Sequence, residues 1–200
     1  HDTGPTVITA PYLFKELFEL FNEDIENYIN FVPLNPWYRF YFDDYSFFDY
    51  GGTKESTVNE IKKFSSRDAD GYLKMLKSSK SIYEIGYEKL ATFPFHNFSN
   101  MVKIVPDMIK LRSFTNVYNH VSKYIKNENL RKAFSIQPLL VGGNPFTTTS
   151  IYCLIHYLER KDGIHFPLGG TAQIVNQLKL LLEKNNICLL YTSPSPRDDR

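Results

Sequence analysis

Two glycine-containing turns stand where a backbone could approach a ligand closely. Residues 2–6 read Asp-Thr-Gly-Pro-Thr, in which Gly4 permits backbone conformations that other residues avoid. Gly169 and Gly170 follow a short β-prone segment and open a predicted helix, whose first N–H groups could face an anion or a flavin. Spacing alone favours ordinary tight turns at both places.

A polar pair, Glu128 and Arg131, lies three residues apart near the start of a predicted helix. The two side chains could be buried together in a cavity. On spacing alone, a solvated surface pair is the preferred interpretation.

Aromatic side chains cluster in the sequence around residues 142–145, Gly-Gly-Asn-Pro, which separate two predicted helices. Core packing explains them, and the wall of a tunnel for an apolar ligand is the alternative. His156, on an aromatic helix face, is more typical of a hydrogen-bonded core histidine than of a catalytic base. The residues in question are Phe134, Pro138, Phe146, Tyr152, His156 and Phe166.

Other kinds of chemistry lack their sequence patterns. The chain contains no Walker loop, no G-x-S-x-G, no metal-ligand pair and no G-x-G-x-x-G. Two cysteines, Cys153 and Cys188, cannot form a disulfide framework, so we expect a reducing compartment. The net charge of +1 provides no basic surface for nucleic acid, and no apolar run is long enough to span a bilayer.

The elements that must position these residues are predicted from local patterns. At 42% hydrophobic and 22% charged residues the chain can form a core, and its 16% aromatic share suits either that core or an apolar pocket. We predict a β-prone segment at 6–9, a helix from Pro11, and an aromatic hairpin of 37–42 with 45–50. Ser65 and Asp68 have the spacing of a capping box that opens a helix through Leu90.

Further helices are predicted in the second half of the chain. The first covers 100–111 and is kinked at Pro106, and the second is capped by Thr115. Two more cover 130–136, which ends at Pro138, and 149–158. A strand at 164–166 precedes the last helix, which carries Ile174 and Leu181. Regular βαβ alternation is absent. The order indicates a helix-rich α+β fold, interior to a larger α/β protein.

The tail has a different composition from the rest of the chain. From Cys188 onward it is rich in Ser, Pro and Arg, and it resembles a translated sequencing adapter. We therefore expect native sequence to end near Ile187, which leaves Cys153 as the only native cysteine. A genuine Ser/Pro-rich tail is the alternative.

Several segments together resemble the bacterial-type phytoene desaturases. Residues 139–146, Leu-Leu-Val-Gly-Gly-Asn-Pro-Phe, and 163–171, Gly-Ile-His-Phe-Pro-Leu-Gly-Gly-Thr, are the most specific. Residues 2–6, 66–72, 149–152 and 158–160 match in the same order. The resemblance covers 1–187, and Ala172 replaces a glycine that many relatives have.

The resemblance implies an FAD enzyme that extends conjugation in a phytoene-like polyene, as part of a flavoprotein fold whose nucleotide fingerprint lies upstream of Asp2. The hydride would pass to the flavin while the neighbouring carbon loses a proton. It also implies a cytoplasmic enzyme that binds the inner membrane face peripherally.

The same resemblance assigns regions and residues. Residues 1–10 and 161–187 would belong to the FAD-binding domain, 11–160 to the substrate-binding region, and 188–200 to the adapter-derived tail. Cofactor-binding candidates are Gly4, Pro5, Thr6, Gly169 and Gly170; substrate-binding candidates are Phe134, Phe146, Tyr152, His156 and Phe166; catalytic candidates are Glu128 and Arg131.

Two alternatives remain open at this point. One is a sibling flavoenzyme, such as a carotenoid isomerase, a hydroxycarotenoid desaturase, a retinol saturase or an amine oxidase. The other is a non-catalytic module that binds apolar ligands or membranes.

Overall fold

The computed structural model describes residues 7–89 and 114–188. Its strands are β1 Phe31–Pro33, β2 Tyr38–Tyr41, β3 Phe47–Tyr50 and β4 His165–Pro167. Its α-helices are α1 Pro11–Glu19, α2 Lys54–Phe64, α3 Ser66–Tyr83, α4 Val117–Tyr124, α5 Glu128–Ala133, α6 Leu154–Asp162 and α7 Ala172–Lys184. Short 3₁₀ segments cover Ile25–Asn27, Gln137–Val141 and Ser150–Cys153, and α3 continues as a π-helical turn over Glu84–Lys89. The helix-rich α+β class is confirmed.

The chain divides into two compact units. One comprises His1–Leu34 with Ile164–Arg200, and the other is Asn35–Gly163. The sequence-based division grouped α1 with the middle of the chain, whereas α1 packs in the first unit. The assignment of these regions to cofactor and substrate stays a prediction, as does the adapter origin of the tail, which from residue 189 lies outside the described residues.

The first unit joins elements from both ends of the sequence. The strands β1 and β4 pair antiparallel, with Phe31 opposite Pro167, and the helix α1 begins at Pro11 as predicted. The β-prone segment near residue 8 forms only an isolated bridge from Ile8 to His165. The apolar faces of α1, the 3₁₀ turn and α7 form one core, made by Phe18, Ile25, Ile29, Ile174 and Leu181.

The aromatic hairpin of the second unit is confirmed. Strands β2 and β3 pair antiparallel, with Tyr38 opposite Tyr50 and Phe40 opposite Phe48. Side chains alternate between the two faces of a strand, so Phe48 and Tyr50 on one face are buried in the core. The helices α3, α4 and α5 complete that core with Tyr72, Met75, Val121 and Leu130, and Phe134 directly after α5 joins them.

The helix α3 contacts the short connection between α4 and α5. Its predicted cap is present, since the Ser65 hydroxyl accepts a hydrogen bond from the Asp68 N–H at 3.3 Å. The buried Asp68 carboxylate accepts from the N–H groups of Lys126, at 2.9 Å, and Asn127, at 2.7 Å. One turn along, a Cβ on Gly71 would lie 2.0 Å from the Tyr124 carbonyl oxygen, so the backbones meet there without a side chain between them.

Several predicted boundaries are wrong. The helix α2 was not predicted. Asn116, not Thr115, caps α4, because the Asn116 side chain accepts from the Asn119 N–H at 2.8 Å. Pro138 lies in the first turn of a 3₁₀ helix, where backbone N–H groups have no partner within the helix, so its missing N–H is tolerated. The helix α6 extends to Asp162, beyond the predicted end at residue 158. The predicted helix 100–111 lies outside the described residues.

Two features are absent from residues 7–89 and 114–188. No helix there is long and apolar enough to cross a bilayer. No group of three or more His, Cys, Asp or Glu side chains there is arranged to hold a metal ion.

Candidate functional site

The glycine turn of the first unit connects β4 to α7. Gly169 and Gly170 have φ angles of 88° and 91°, a region that favours glycine. The Gly170 N–H donates to the Pro167 carbonyl at 3.0 Å, which closes the turn. Thr171 makes no side-chain hydrogen bond to the first turn of α7, so no side chain caps this helix within the described part of the chain. This bare turn suits the close approach of an anionic group to the backbone. The other predicted cofactor-binding residues, Gly4, Pro5 and Thr6, lie outside the described residues.

Glu128 and Arg131 do not pair with each other. The Glu128 side chain is 71% exposed and lies 3.1 Å from the Lys132 ammonium, one helical turn away. Glu128 is thus solvated, but its partner is Lys132, so the predicted pair of Glu128 with Arg131 is wrong.

Arg131 instead contacts the loop before α5. Its guanidinium donates to the Lys126 carbonyl at 2.9 Å and lies over the Tyr118 ring, 5.6 Å from the ring centroid. Both contacts fix the position of the side chain, which is only partly buried.

Phe134 and His156 come together in the core. The His156 Nε2 lies 3.0 Å from the Phe134 carbonyl oxygen, which can only accept, so Nε2 carries the proton. The Nδ1 atom then accepts from the Gln137 amide at 3.1 Å. Burial lowers the pKa of His156 to about 3, so the ring is neutral in the physiological range. His156 is a hydrogen-bonded core histidine.

The other aromatic candidates lie apart from this pair. Phe146 is 60% exposed, with its ring centroid 4.6 Å from that of Tyr118. Tyr152 is half-buried against the core of the second unit, and Phe166 belongs to β4 of the first unit. Within the described residues the five candidates therefore do not gather in one cavity of the second unit.

A buried charged cluster was not predicted. Glu159 on α6 is fully buried, and its Oε1 accepts from the Tyr38 hydroxyl at 3.1 Å. Its Oε2 has no hydrogen-bond partner. Burial raises the pKa of this carboxyl to about 8, against the weaker opposing effects of the Tyr38 hydrogen bond and the Arg160 charge.

Arg160 lies beside Glu159 in a cage of aromatic rings. Its guanidinium carbon is 4.4 Å from the Trp37 ring centroid, 4.9 Å from that of Tyr50 and 5.9 Å from that of Tyr72. Such stacking is favourable for a cation that has left water.

Hydrogen bonds complete the contacts of this guanidinium. It donates to the Gly52 carbonyl at 2.8 Å and to the Thr57 hydroxyl, which donates in turn to the Gly51 carbonyl at 2.9 Å. Arg160 therefore ties α6 to the end of the hairpin and the start of α2.

A weak sequence signal for this cluster exists. Cys153, His156 and Glu159 recur at a spacing of three, on one helical face, and all three are buried. A charged residue on a helix is ordinarily assigned to the solvent side, which conceals the pattern.

The comparisons with known proteins agree on one family. No family model matches the chain. Curated proteins named "Phytoene desaturase (lycopene-forming)" are similar to it: that of Pantoea ananas is 42% identical over 91% of this chain, and that of Pseudescherichia vulneris 43% over 88%. That of Paracoccus sp. is 40% identical over 99% of this chain, an alignment that includes residues beyond Ile187.

The alignments cover 37%, 36% and 40% of these three relatives, so the chain spans less than half of their length. The similarity runs through both described units. The chain is therefore similar to a segment of the phytoene desaturases.

Proposed function

We propose that this chain is part of an FAD-dependent oxidoreductase that desaturates a long polyene, such as phytoene, in carotenoid biosynthesis. The observation that carries the proposal is the 40–43% identity to proteins named lycopene-forming phytoene desaturases. The reaction would act on CH–CH groups and lengthen a conjugated system.

The turn at Gly169 and Gly170 is our candidate for cofactor contact. A bound flavin would supply the hydride acceptor for a saturated carbon–carbon unit whose neighbouring carbon loses a proton. The helix α7 begins directly after this turn, and Thr171 at its start makes no side-chain hydrogen bond to its first turn. The residues present therefore fit an anionic part of the cofactor.

A hydrocarbon substrate must be recognised by shape and apolar area, because it offers almost no polar groups. Phe146 and Tyr152 in the second unit are accessible enough to contact such a ligand, and Phe166 in the first unit is separately accessible. Phe134 and His156 are fully packed, so we assign them to supporting the wall of the site rather than to forming its surface.

We further propose that the enzyme is cytoplasmic and binds the inner face of the membrane peripherally. Polyene precursors dissolve in bilayers, and a peripheral enzyme needs exposed apolar side chains to reach them. Leu139, Val141 and Phe146 are 57–60% exposed and lie close together in the sequence.

A chimeric enzyme tests the activity directly. Residues 1–187 of this chain replace the aligned segment of the Pantoea ananas relative, and the chimera is expressed in cells that accumulate phytoene. We expect extracted pigment to absorb at longer wavelength than phytoene. A folded, FAD-containing chimera without new pigment would favour a sibling flavoenzyme, and a folded chimera without FAD a non-catalytic module.

The cofactor contact is tested by Gly169→Ala in the same chimera. A methyl group at this turn meets the Gln173 side chain at 3.0 Å and opposes a φ of 88°, so we expect at least a tenfold weaker affinity for FAD. Gly142→Ala is the matched control, because Gly142 has a φ of 72° and open space around its Cβ position. Equal FAD affinity in the two variants would remove Gly169 from the site.

A further inference from the structure

The charges in the buried cluster of the second unit are not arranged as an ion pair. Glu159 and Arg160 are neighbours, yet no carboxylate oxygen of the described residues forms a salt bridge with the Arg160 guanidinium. The guanidinium instead donates to Gly52 and Thr57.

The contacts of Glu159 suit a neutral acid. One oxygen accepts a single hydroxyl hydrogen bond from Tyr38, the other has no partner, and the side chain is fully buried. An ionised carboxylate in such a place needs several donors, whereas a protonated one loses much less solvation on burial.

The titratable and charged groups around Glu159 lie on β2, β3, α3 and α6 itself. Tyr38 lies on β2, Tyr50 on β3 and Tyr72 on α3, while His156 and Arg160 share α6 with it. Burial holds the pKa of Tyr50 well above its usual value and that of Tyr72 at about 12, and His156 is neutral. Near neutral pH, Glu159 is thus the group of this cluster that is able to change its charge.

We propose that Glu159 is a buried pH-sensitive switch, whose ionisation draws the Arg160 guanidinium from its aromatic cage and from the turn at Gly51 and Gly52. The proton passes to solvent, and the new carboxylate offers Arg160 a charged acceptor in place of two neutral ones. Because these two contacts join α6 to the hairpin and α2, their loss loosens that junction.

Two measurements on the wild-type chain test the switch. The first is infrared spectroscopy, in which a protonated carboxylic acid has a carbonyl band that carboxylates lack. We expect one such band in the folded chain at pH 6.5, with half its intensity lost near pH 8. The second is the fluorescence of Trp37, the single tryptophan of the chain, which contacts Arg160 directly. Its emission should shift over the same pH range.

The variant E159Q should abolish both changes. The exposed E84Q in the same unit is the matched control and should titrate like the wild type. A folded wild-type chain without a protonated-acid band at pH 6.5 would overturn the proposal, and so would Trp37 emission that stays constant from pH 6 to 9.5. If E159Q does not fold, the two wild-type titrations still decide.

Discussion

At the scale of single residues, Glu159 couples the protonation state of the chain to its folding. A carboxyl with a pKa of about 8 in the folded state and about 4.5 in the unfolded state binds its proton more tightly when folded. Its contribution to stability is fully present below pH 4.5 and is lost as the pH rises towards 8.

We therefore predict that the free energy of unfolding falls between pH 5 and 8 by up to about 1.4 kcal/mol per pH unit from this group. The measurement is urea denaturation at several pH values, on the wild type and on Glu159→Gln. The slope should be smaller in the variant, and equal slopes would contradict the assignment.

Gly71 is a second residue with a sharp expectation. The Cβ of Gly71→Ala would meet the Tyr124 carbonyl oxygen at 2.0 Å, so α3 and α4 would have to separate. We expect a loss of about 1–3 kcal/mol in the free energy of unfolding, from overpacking against rigid backbone.

Gly86→Ala provides the control for this substitution. Its nearest neighbours would lie at 3.7 Å, an ordinary contact, so its stability should stay within about 1 kcal/mol of the wild type. A similar change in both variants would mean that the close approach to Tyr124 does not govern position 71, since helix propensity favours alanine at both positions.

At the scale of elements, Asp68 joins α3 to the corner between α4 and α5. In Asp68→Asn one acceptor oxygen becomes an NH₂ group that faces the N–H of Lys126 or of Asn127. The buried N–H left without a partner should lower the free energy of unfolding by about 1–3 kcal/mol. Chemical denaturation of this variant beside the exposed Asp70→Asn measures the effect, and equal stabilities would contradict it.

Elements with local signals were predictable from the sequence. Pro11 and Ser65 mark helix starts through their own chemistry, and the aromatic alternation of the hairpin has a period that only a strand shares. The helix α2 was not predicted because its buried face consists of only two residues, Thr57 and Ile61. Among the surrounding lysines and glutamates these two do not form a recognisable apolar pattern.

The candidate site was predictable only in part, for a different reason. The Gly169–Gly170 turn is local, and its glycines have the positive φ that such a turn requires. The Arg160 cage combines residues from α6, β3, α3 and the segment before β2, so no window of the sequence contains it. Glu128 was a candidate catalytic residue because it is a carboxylic acid. On the surface of α5, however, its ion-pair partner is Lys132, one helical turn away, and not Arg131.

At the scale of the whole molecule, the second unit has a core of its own. That core brings together α2, α3, α4, α5 and the hairpin. We predict that Asn35–Gly163, expressed alone, unfolds in one cooperative transition followed by near-ultraviolet circular dichroism.

Met75→Ala should lower the midpoint of that transition, since truncating a fully buried methionine costs about 2–5 kcal/mol. The exposed Lys77→Ala is its control on the same helix. A gradual transition without a baseline would show that the second unit depends on the first.

The pairing of β1 with β4 has a consequence for the order of events during synthesis. Phe31 is made before the second unit, but its partner Pro167 follows only after all of Asn35–Gly163 has been made. At typical translation speeds that interval is on the order of ten seconds. During that time Phe18, Ile25 and Ile29 lack the contacts with Ile174 and Leu181 that bury them in the folded unit, so we expect this nascent segment to be a binding site for chaperones.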